Sequence, residues 1–141
     1  MTAKSMTRDA RIRRSILALI GLAFTAIGLN TALGGMFTLG WQFSTEAANI
    51  TDLEIFARHD SNARFFAGVF VAFGLITAAG AIWFDQLRPV IIAFLLAIAV
   101  GGLFRLLQSG YSPVTDQELL PSLIAELILG PLFALWIVKS Q

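Results

Sequence analysis

Long apolar runs separated by short polar stretches dominate this chain. A helix needs about 20 apolar residues to cross the hydrocarbon core of a bilayer. Four runs meet that length, at residues 15–39, 64–84, 89–109 and 122–138. The pattern therefore predicts an all-α integral membrane four-helix bundle, a single membrane domain over residues 1–141 with a first outer loop at residues 40–63.

Composition agrees with a membrane protein and excludes several kinds of chemistry. Of the 141 residues, 57% are hydrophobic and 13% are charged, whereas soluble domains carry about 25% charged residues. The chain has no cysteine and one histidine. Disulfides, thiolate metal sites and bis-histidine haem ligation within one chain are therefore excluded. We expect no metal and no cofactor.

The distribution of basic residues predicts how the bundle is oriented. Seven of the ten lysines and arginines fall on one side of the predicted spans, five of them within the first 14 residues. The positive-inside rule then places both termini in the cytoplasm. The basic start could also belong to a cleaved signal peptide or a nucleic-acid patch. It borders an apolar run of about 24 residues, which is longer than the apolar region of a signal peptide. We therefore interpret it as a topology signal with some attraction to anionic lipid rather than as either alternative.

Small residues recur at spacings of three and four in every span, which lets membrane helices approach closely. The predicted packing faces are Gly21, Thr25, Gly28, Ala32 and Gly35 in the first span; Arg64, Gly68, Ala72 and Ala79 in the second; Gly101, Arg105 and Ser109, with Gly102 beside them, in the third; and Ser122, Glu126, Gly130 and Ala134 in the fourth. Three of these four faces carry a charge near the predicted outer end.

Arg105 is predicted to lie inside a membrane helix, where a charged side chain is energetically unfavourable. An arginine inside a membrane helix costs several kcal/mol unless it reaches the headgroups or finds a partner. Arg105 and Glu126 each lie five residues from a predicted helix end, at Gly110 and Pro121. This matching depth on neighbouring helices predicts an ion pair. Pro131 removes a helical N–H, so we also expect the fourth span to bend beside Glu126.

Arg64 adds a third charge at the start of the second span. A positive charge there opposes the helix dipole, so we expect an acid nearby, either Asp60 or Glu126. The sequence thus predicts a polar pocket under the outer loops, with no catalytic residue. The predicted ligand- or partner-binding residues are Arg64, Arg105, Glu126, Asn62, Gln108 and Ser109. A purely structural ion pair, or an arginine that reaches the headgroups, are the alternatives.

The first outer loop is too long for a tight connection. Thr51 and Glu54 have the spacing of a capping box, which predicts a short interfacial helix over about residues 52–58. Asp60 or Ser61 would then cap the second span.

Three stretches resemble a known family: "NARFFAGVFVAFG", "GGLFRLLQSGYSP" and "AELILGPLFAL". They are similar to the small bacterial four-span membrane family catalogued as domain-of-unknown-function family 4345. The positions that match it are Arg64, Gly68, Arg105, Ser109, Gly110, Pro113 and Glu126. A more distant similarity is to DoxX-like four-helix membrane proteins, some of which accompany quinone-linked oxidoreductases. The resemblance implies the bacterial inner membrane and, at most, an accessory role in such chemistry.

Function is the least determined property at this point. The chain has no phosphate-binding loop, no metalloprotease motif and no serine nucleophile with a histidine nearby in sequence. The leading hypothesis is a non-enzymatic accessory or binding module, in which arginines bind an anionic group and Glu126 holds them in place. A small oligomeric transporter of an anionic or lipophilic molecule, or a lipid- or quinone-linked enzyme, are the alternatives. The expected partners are the lipid bilayer and either a larger membrane complex or a second copy of the chain, with no nucleic acid.

Overall fold

A computed structural model describes residues 8–38, 51–107, 114, 117 and 119–139. The helices are α1 (Arg8–Gly34), a 3₁₀ turn (Gly35–Phe37), α2 (Leu53–Ala79), α3 (Phe84–Arg105), α4 (Leu120–Ile124), a π-helical turn (Ala125–Leu129) and α5 (Gly130–Lys139). The predicted all-α class is confirmed over these residues. The chain divides into two compact units, Met1–Leu87 and Arg88–Gln141. The single membrane domain stays a prediction.

Four helical segments of the described chain are long and apolar enough to cross a membrane. They are Arg8–Phe37, Leu53–Ala79, Phe84–Arg105 and Leu120–Lys139, and at most 28% of each apolar stretch is buried within the protein. Apolar side chains left exposed in this way need lipid around them, since a helix that is apolar all round is stable inside a bilayer. The protein is therefore a multi-pass membrane protein in contact with the lipid bilayer.

Within the first unit, α1 and α2 pack closely as an antiparallel pair. A Cβ at Gly28 would lie 2.8 Å from the backbone N of Val71, and one at Gly21 would lie 2.7 Å from the carbonyl O of Gly74. Only glycine permits this approach. The predicted packing face on α1 is confirmed at these glycines.

The predicted packing face on α2 is correct at Arg64, which contacts the end of α1, but is wrong by one residue from Gly68 onward. Gly68 is exposed, and a Cβ there would meet nothing within 4 Å. The side of α2 that faces α1 carries Ala67, Val71, Gly74 and Ala78 instead. Small residues occupy two neighbouring faces of this helix, so their spacing alone could not select the correct one.

The separate interfacial helix predicted over residues 52–58 is also wrong. α2 is one continuous helix from Leu53, and the carboxylate of Asp52 caps it by accepting from the N–H groups of Glu54 and Ile55. No glycine or proline interrupts residues 53–63, and the Glu54–Arg58 ion pair supports the helix there. The caps predicted for the second span at Asp60 or Ser61 therefore do not occur.

The turn between α2 and α3 lies earlier than the sequence predicts. α2 ends at Ala79 rather than at residue 84, and α3 begins at Phe84 rather than at Pro89. Gly80 follows α2, and Asp85 lies in the first turn of α3, where its negative charge interacts favourably with the helix dipole.

The other end of α3 is at Arg105, which is followed by a turn at Leu106 and Leu107. Arg105 is thus the last residue of its helix and not one turn inside it.

Candidate functional site

A charged cluster in the second unit contains Arg105, Ser122 and Glu126. Nη2 of Arg105 lies 3.3 Å from Oε1 of Glu126, and Nη1 donates a 2.9 Å hydrogen bond to Oγ of Ser122. The Ser122 hydroxyl donates to the carbonyl O of Leu119 at 2.8 Å. The predicted Arg105–Glu126 ion pair is therefore confirmed. The sequence predicts Ser122 only as part of a packing face and does not indicate that its hydroxyl is the third member of the cluster.

Arg105 reaches Glu126 because of the direction in which helical side chains point. They lean toward the N-terminus of their own helix and cover the preceding turn. On α3 that turn contains Gly102, where a Cβ would lie 2.9 Å from Cβ of Glu126. Glu126 is therefore level with Gly102, and the equal depth predicted for the two charges is wrong by three residues, roughly 4.5 Å of helix.

The backbone that carries Glu126 is not a regular α-helix. Residues Ala125–Leu129 form a π-helical turn, in which the N–H of Gly130 donates to the carbonyl O of Ala125. Pro131 follows directly and lacks the N–H that an α-helix would use. A π turn is a common way for a membrane helix to accommodate a proline. The backbone is thus irregular where a bend was predicted, in the form of a π turn, and the bend itself stays a prediction.

The two charges of this cluster differ in accessibility. The side chain of Arg105 is 44% exposed, whereas that of Glu126 is 15% exposed. Oε2 of Glu126 is buried and accepts no hydrogen bond from a described residue, although buried polar atoms usually have a partner. A guanidinium has five N–H donors, and the contacts above use its two terminal nitrogens. The cluster therefore presents an accessible cation supported by a buried carboxylate, which suits the binding of an anion.

Arg64 belongs to a second cluster, located in the first unit at the end of α1. Its Nη1 donates to the carbonyl O atoms of Ala32 and Leu33 at 2.8 and 3.0 Å, and its Nε donates to Oδ2 of Asp60 at 2.7 Å. Asp60 uses its other oxygen to accept from the N–H of Met36 at 2.8 Å. Of the two acids predicted as partners of Arg64, the structure pairs it with Asp60.

The chemistry of a helix end explains this arrangement. The last carbonyls of α1 have no partner within the helix and carry partial negative charge. The guanidinium of Arg64 satisfies two of them, and Asp60 holds the guanidinium in place. Gly35 follows α1 with a φ of +63°, a conformation that glycine adopts without strain. A side chain there would collide with Asp60 and Arg64. The cluster thus fastens the end of α1 to α2.

A similar contact occurs in the second unit, where Nη2 of Arg88 donates to the carbonyl O of Val138 near the end of α5. Arg88 is one of the seven basic residues from which the orientation of the bundle is predicted. Backbone carbonyls at helix ends carry no signature in the sequence, so neither this contact nor that of Arg64 could be located in advance.

The remaining predicted site residues are not gathered into one pocket by the described part of the structure. Asn62 is exposed on α2 and lines a shallow depression together with Glu54, Arg58 and Ser61. Gln108 and Ser109 lie outside the described residues. Arg64 belongs to the first unit, while Arg105 and Glu126 belong to the second. A single pocket formed by all six residues stays a prediction.

Nothing in the described residues suggests a metal centre, because no group of three or more histidine, aspartate or glutamate side chains there could hold a metal ion. The chemistry offered by the two clusters is charge pairing and hydrogen bonding. Of these two clusters, the Arg105 cluster is the one that contains a buried acceptor without a donor among the described residues.

Comparison with known protein families gives a match over most of the chain. Residues 12–137 match the family described as "Domain of unknown function (DUF4345)". No curated protein and no solved structure matches the chain. The family match includes most of all four apolar helices and both charged clusters, and omits only the first residues of α1 and the last residues of α5. The chain belongs to the DUF4345 family.

Proposed function

We propose that this protein is a non-enzymatic binding module of the bacterial inner membrane, with both termini in the cytoplasm and its site near the outer face. It holds an amphiphilic molecule whose anionic headgroup binds Arg105. The observation that carries the proposal is the accessible guanidinium of Arg105, whose side chain is 44% exposed and whose contacts with the described residues use its two terminal nitrogens. Ser122 accepts a 2.9 Å hydrogen bond from one of these nitrogens, and the carboxylate of Glu126 lies 3.3 Å from the other.

Anion binding by Arg105 follows from its position. It ends an apolar helix, where its charge favours the helix dipole, and nearly half of its side chain is accessible. Guanidinium groups bind carboxylates and phosphates with two parallel hydrogen bonds. Ser122 and Glu126 each hold one terminal nitrogen, which fixes the plane of the guanidinium before a ligand arrives.

An amphiphile fits this site better than a freely soluble anion does. The helices that carry the cluster have exposed apolar side chains next to it, such as Phe104 on α3 and Leu129 after Glu126. A molecule with an anionic head and an apolar body can contact both regions. The same reasoning supports lipids and lipophilic small molecules and gives no support to a soluble polymer such as nucleic acid.

The proposal is tested by the molecules that accompany the purified protein. The full chain is purified in mild detergent and denatured, and the small molecules released are quantified by mass spectrometry. The test variant is R105M/E126Q, which removes both charges together because a lone buried charge would destabilise the protein. The matched control is E54Q/R58M, which removes the exposed ion pair on α2.

We expect an anionic amphiphile that accompanies the original chain and the control in equal amounts and is at least fivefold depleted in R105M/E126Q. Equal amounts in all three proteins would contradict binding at Arg105. Copurification of a larger protein complex that R105M/E126Q disrupts, with no amphiphile depleted, would replace this proposal with the accessory role.

A further inference from the structure

Another charged surface lies at the start of α1, at the opposite end of this helix from the Arg64 cluster. Arg8, Arg11 and Arg14 are all exposed in the first two turns of α1. Arg13 differs from them because it points toward the protein and lies over the ring of the buried Phe84, with Cζ 4.0 Å from the ring centroid. The exposed arginines are therefore free of the structural role that Arg13 has.

The exposed arginines share a helix face with exposed leucines. Eleven residues make about three turns of an α-helix. Leu19 therefore lies on the same helix face as Arg8, three turns further along, and Leu22 is related to Arg11 in the same way. Leu19 is 67% exposed and Leu22 is 62% exposed. Leu29 and Leu33 continue the same face, while Gly21 and Gly28 on the opposite side contact α2. We call Arg8, Arg11, Leu19 and Leu22 the head-and-tail face.

The dimensions of this face match one leaflet of a bilayer. Arg11 and Leu22 are separated by about 16 Å along the helix axis, and half of a hydrocarbon core is about 15 Å thick. The whole of α1 is about 40 Å long, so its first turns extend beyond the core to the level of the headgroups. The face thus presents positive charge at headgroup level and apolar side chains at acyl-chain level.

Local electrostatics also favour an anionic occupant. The first two turns of α1 contain four arginines and one acid, Asp9, and positive charges at a helix N-terminus are disfavoured by the helix dipole. An anion beside Arg8 and Arg11 relieves both this interaction and their mutual repulsion. A soluble acidic partner would leave the adjoining leucines uncovered, whereas a phospholipid covers them.

We propose that the head-and-tail face binds an anionic phospholipid of the bilayer, with the phosphate at Arg8 and Arg11, flanked by Arg14, and the acyl chains along Leu19 and Leu22. This site is independent of the one at Arg105. It gives the arginines near the N-terminus a binding role in addition to their role in topology.

The test measures lipid adducts on the full chain by native mass spectrometry, after reconstitution in nanodiscs made from equal amounts of phosphatidylglycerol and phosphatidylcholine with identical acyl chains. Nanodiscs expose both leaflets, so a change of insertion topology in a variant does not alter the lipids offered. The variants are R8Q/R11Q on the face, R13Q on the same helix but outside the face, and R58Q as an exposed arginine on α2.

We expect the original chain to retain more phosphatidylglycerol adducts than phosphatidylcholine adducts. Each arginine near a membrane surface strengthens the binding of an anionic lipid about fivefold. Removing two of them in R8Q/R11Q should therefore lower the preference for phosphatidylglycerol by roughly 25-fold. R13Q and R58Q should keep it. The preference of the original chain should also fall as salt rises from 50 to 500 mM, because these charges are exposed.

Equal retention of the two lipids by the original chain would overturn the proposal, as would an unchanged preference in R8Q/R11Q. An equal loss in R58Q and R8Q/R11Q would also overturn it, because net charge rather than this face would then be responsible. If R8Q/R11Q does not fold, R11Q alone and the salt series decide the question by the same criteria. None of these results depends on Arg105.

Discussion

The two arginine–carboxylate clusters are equally exposed but use their polar atoms very differently. Arg64 and Arg105 are each 44% exposed, and their acids are 18% and 15% exposed. Around Arg64, both oxygens of Asp60 and two helix-end carbonyls are paired at 3.0 Å or less. Around Arg105, the ion pair is longer and one oxygen of Glu126 has no donor among the described residues.

This difference separates a structural cluster from a candidate site. The exposed fractions of the side chains do not distinguish the two clusters. Among the described residues, the polar atoms around Arg64 are used to fasten α1 on α2. Those around Arg105 are not all used, which supports the site proposed there. The local backbone agrees, because Arg64 lies within a regular helix whereas Glu126 lies in a π turn, a feature often found at functional sites.

The largest expected effect comes from separating the helices that carry the Arg64 cluster. A Cβ at Gly74 would lie 2.5 Å from the backbone N of Thr25 and 2.7 Å from the carbonyl O of Gly21. Gly74→Ala must therefore push α1 and α2 apart, and we expect it to lower the free energy of unfolding by about 3 kcal/mol. The measurement is unfolding of the purified protein in mixed detergent micelles with increasing dodecyl sulfate.

The matched control is Gly68→Ala on the same helix, where a Cβ would meet nothing within 4 Å. Alanine favours helix over glycine by roughly 0.5–1 kcal/mol, so this variant should be as stable as the original chain or slightly more stable. If the two substitutions had equal effects, the close approach of α1 and α2 at Gly74 would be refuted.

Removing Arg64 should have the next largest effect. Arg64→Met leaves two helix-end carbonyls and Oδ2 of Asp60 without their donors. We expect a loss of about 2 kcal/mol in the same unfolding assay, since hydrogen bonds to charged groups are worth about 1.5–3 kcal/mol and this side chain is partly solvated. Arg58→Met is the control. Its ion pair with Glu54 is largely exposed, so its removal should cause no measurable change. A result in the opposite order would remove the distinction between the two clusters.

A smaller change should loosen the Arg105 cluster without touching either charge. A Cβ at Gly102 would lie 2.9 Å from Cβ of Glu126 and 3.0 Å from Cδ2 of Leu127. Gly102→Ala should therefore displace Glu126 and cost about 1 kcal/mol, and the retained amphiphile should decrease with it. Gly101→Ala, one residue away with nothing within 4 Å, should leave the retained amphiphile unchanged and the stability unchanged or slightly higher. Identical behaviour of the two variants would argue against Gly102 as the residue that makes room for Glu126.

Much of the fold could be predicted from the sequence because hydropathy and small-residue spacing act locally. The four apolar helices and the glycine face of α1 follow from them directly. The ends of the helices do not. α2 begins 11 residues earlier than predicted (Leu53 against residue 64), because the polar residues after Asp52 are compatible with either a loop or a helix.

The candidate site could be predicted only where charge demanded a partner. Arg105 and Glu126 needed each other, and the ion pair is present. Pro131 predicts that the fourth span departs from a regular α-helix beside Glu126, but it does not predict that the backbone adopts a π turn. The partners of Arg64 include main-chain carbonyls, which every residue has, so no residue pattern could identify them.

The most direct test of the account is a double-mutant cycle on Arg105 and Glu126 in the dodecyl sulfate unfolding assay. Arg105→Met leaves the less accessible carboxylate alone and should be the more destabilising single change, while Glu126→Gln leaves a half-exposed arginine and should cost less. We predict that R105M/E126Q is more stable than R105M, with a coupling energy of about 1 kcal/mol or more. Purely additive losses would contradict the interdependence of these two charges and with it the proposed site.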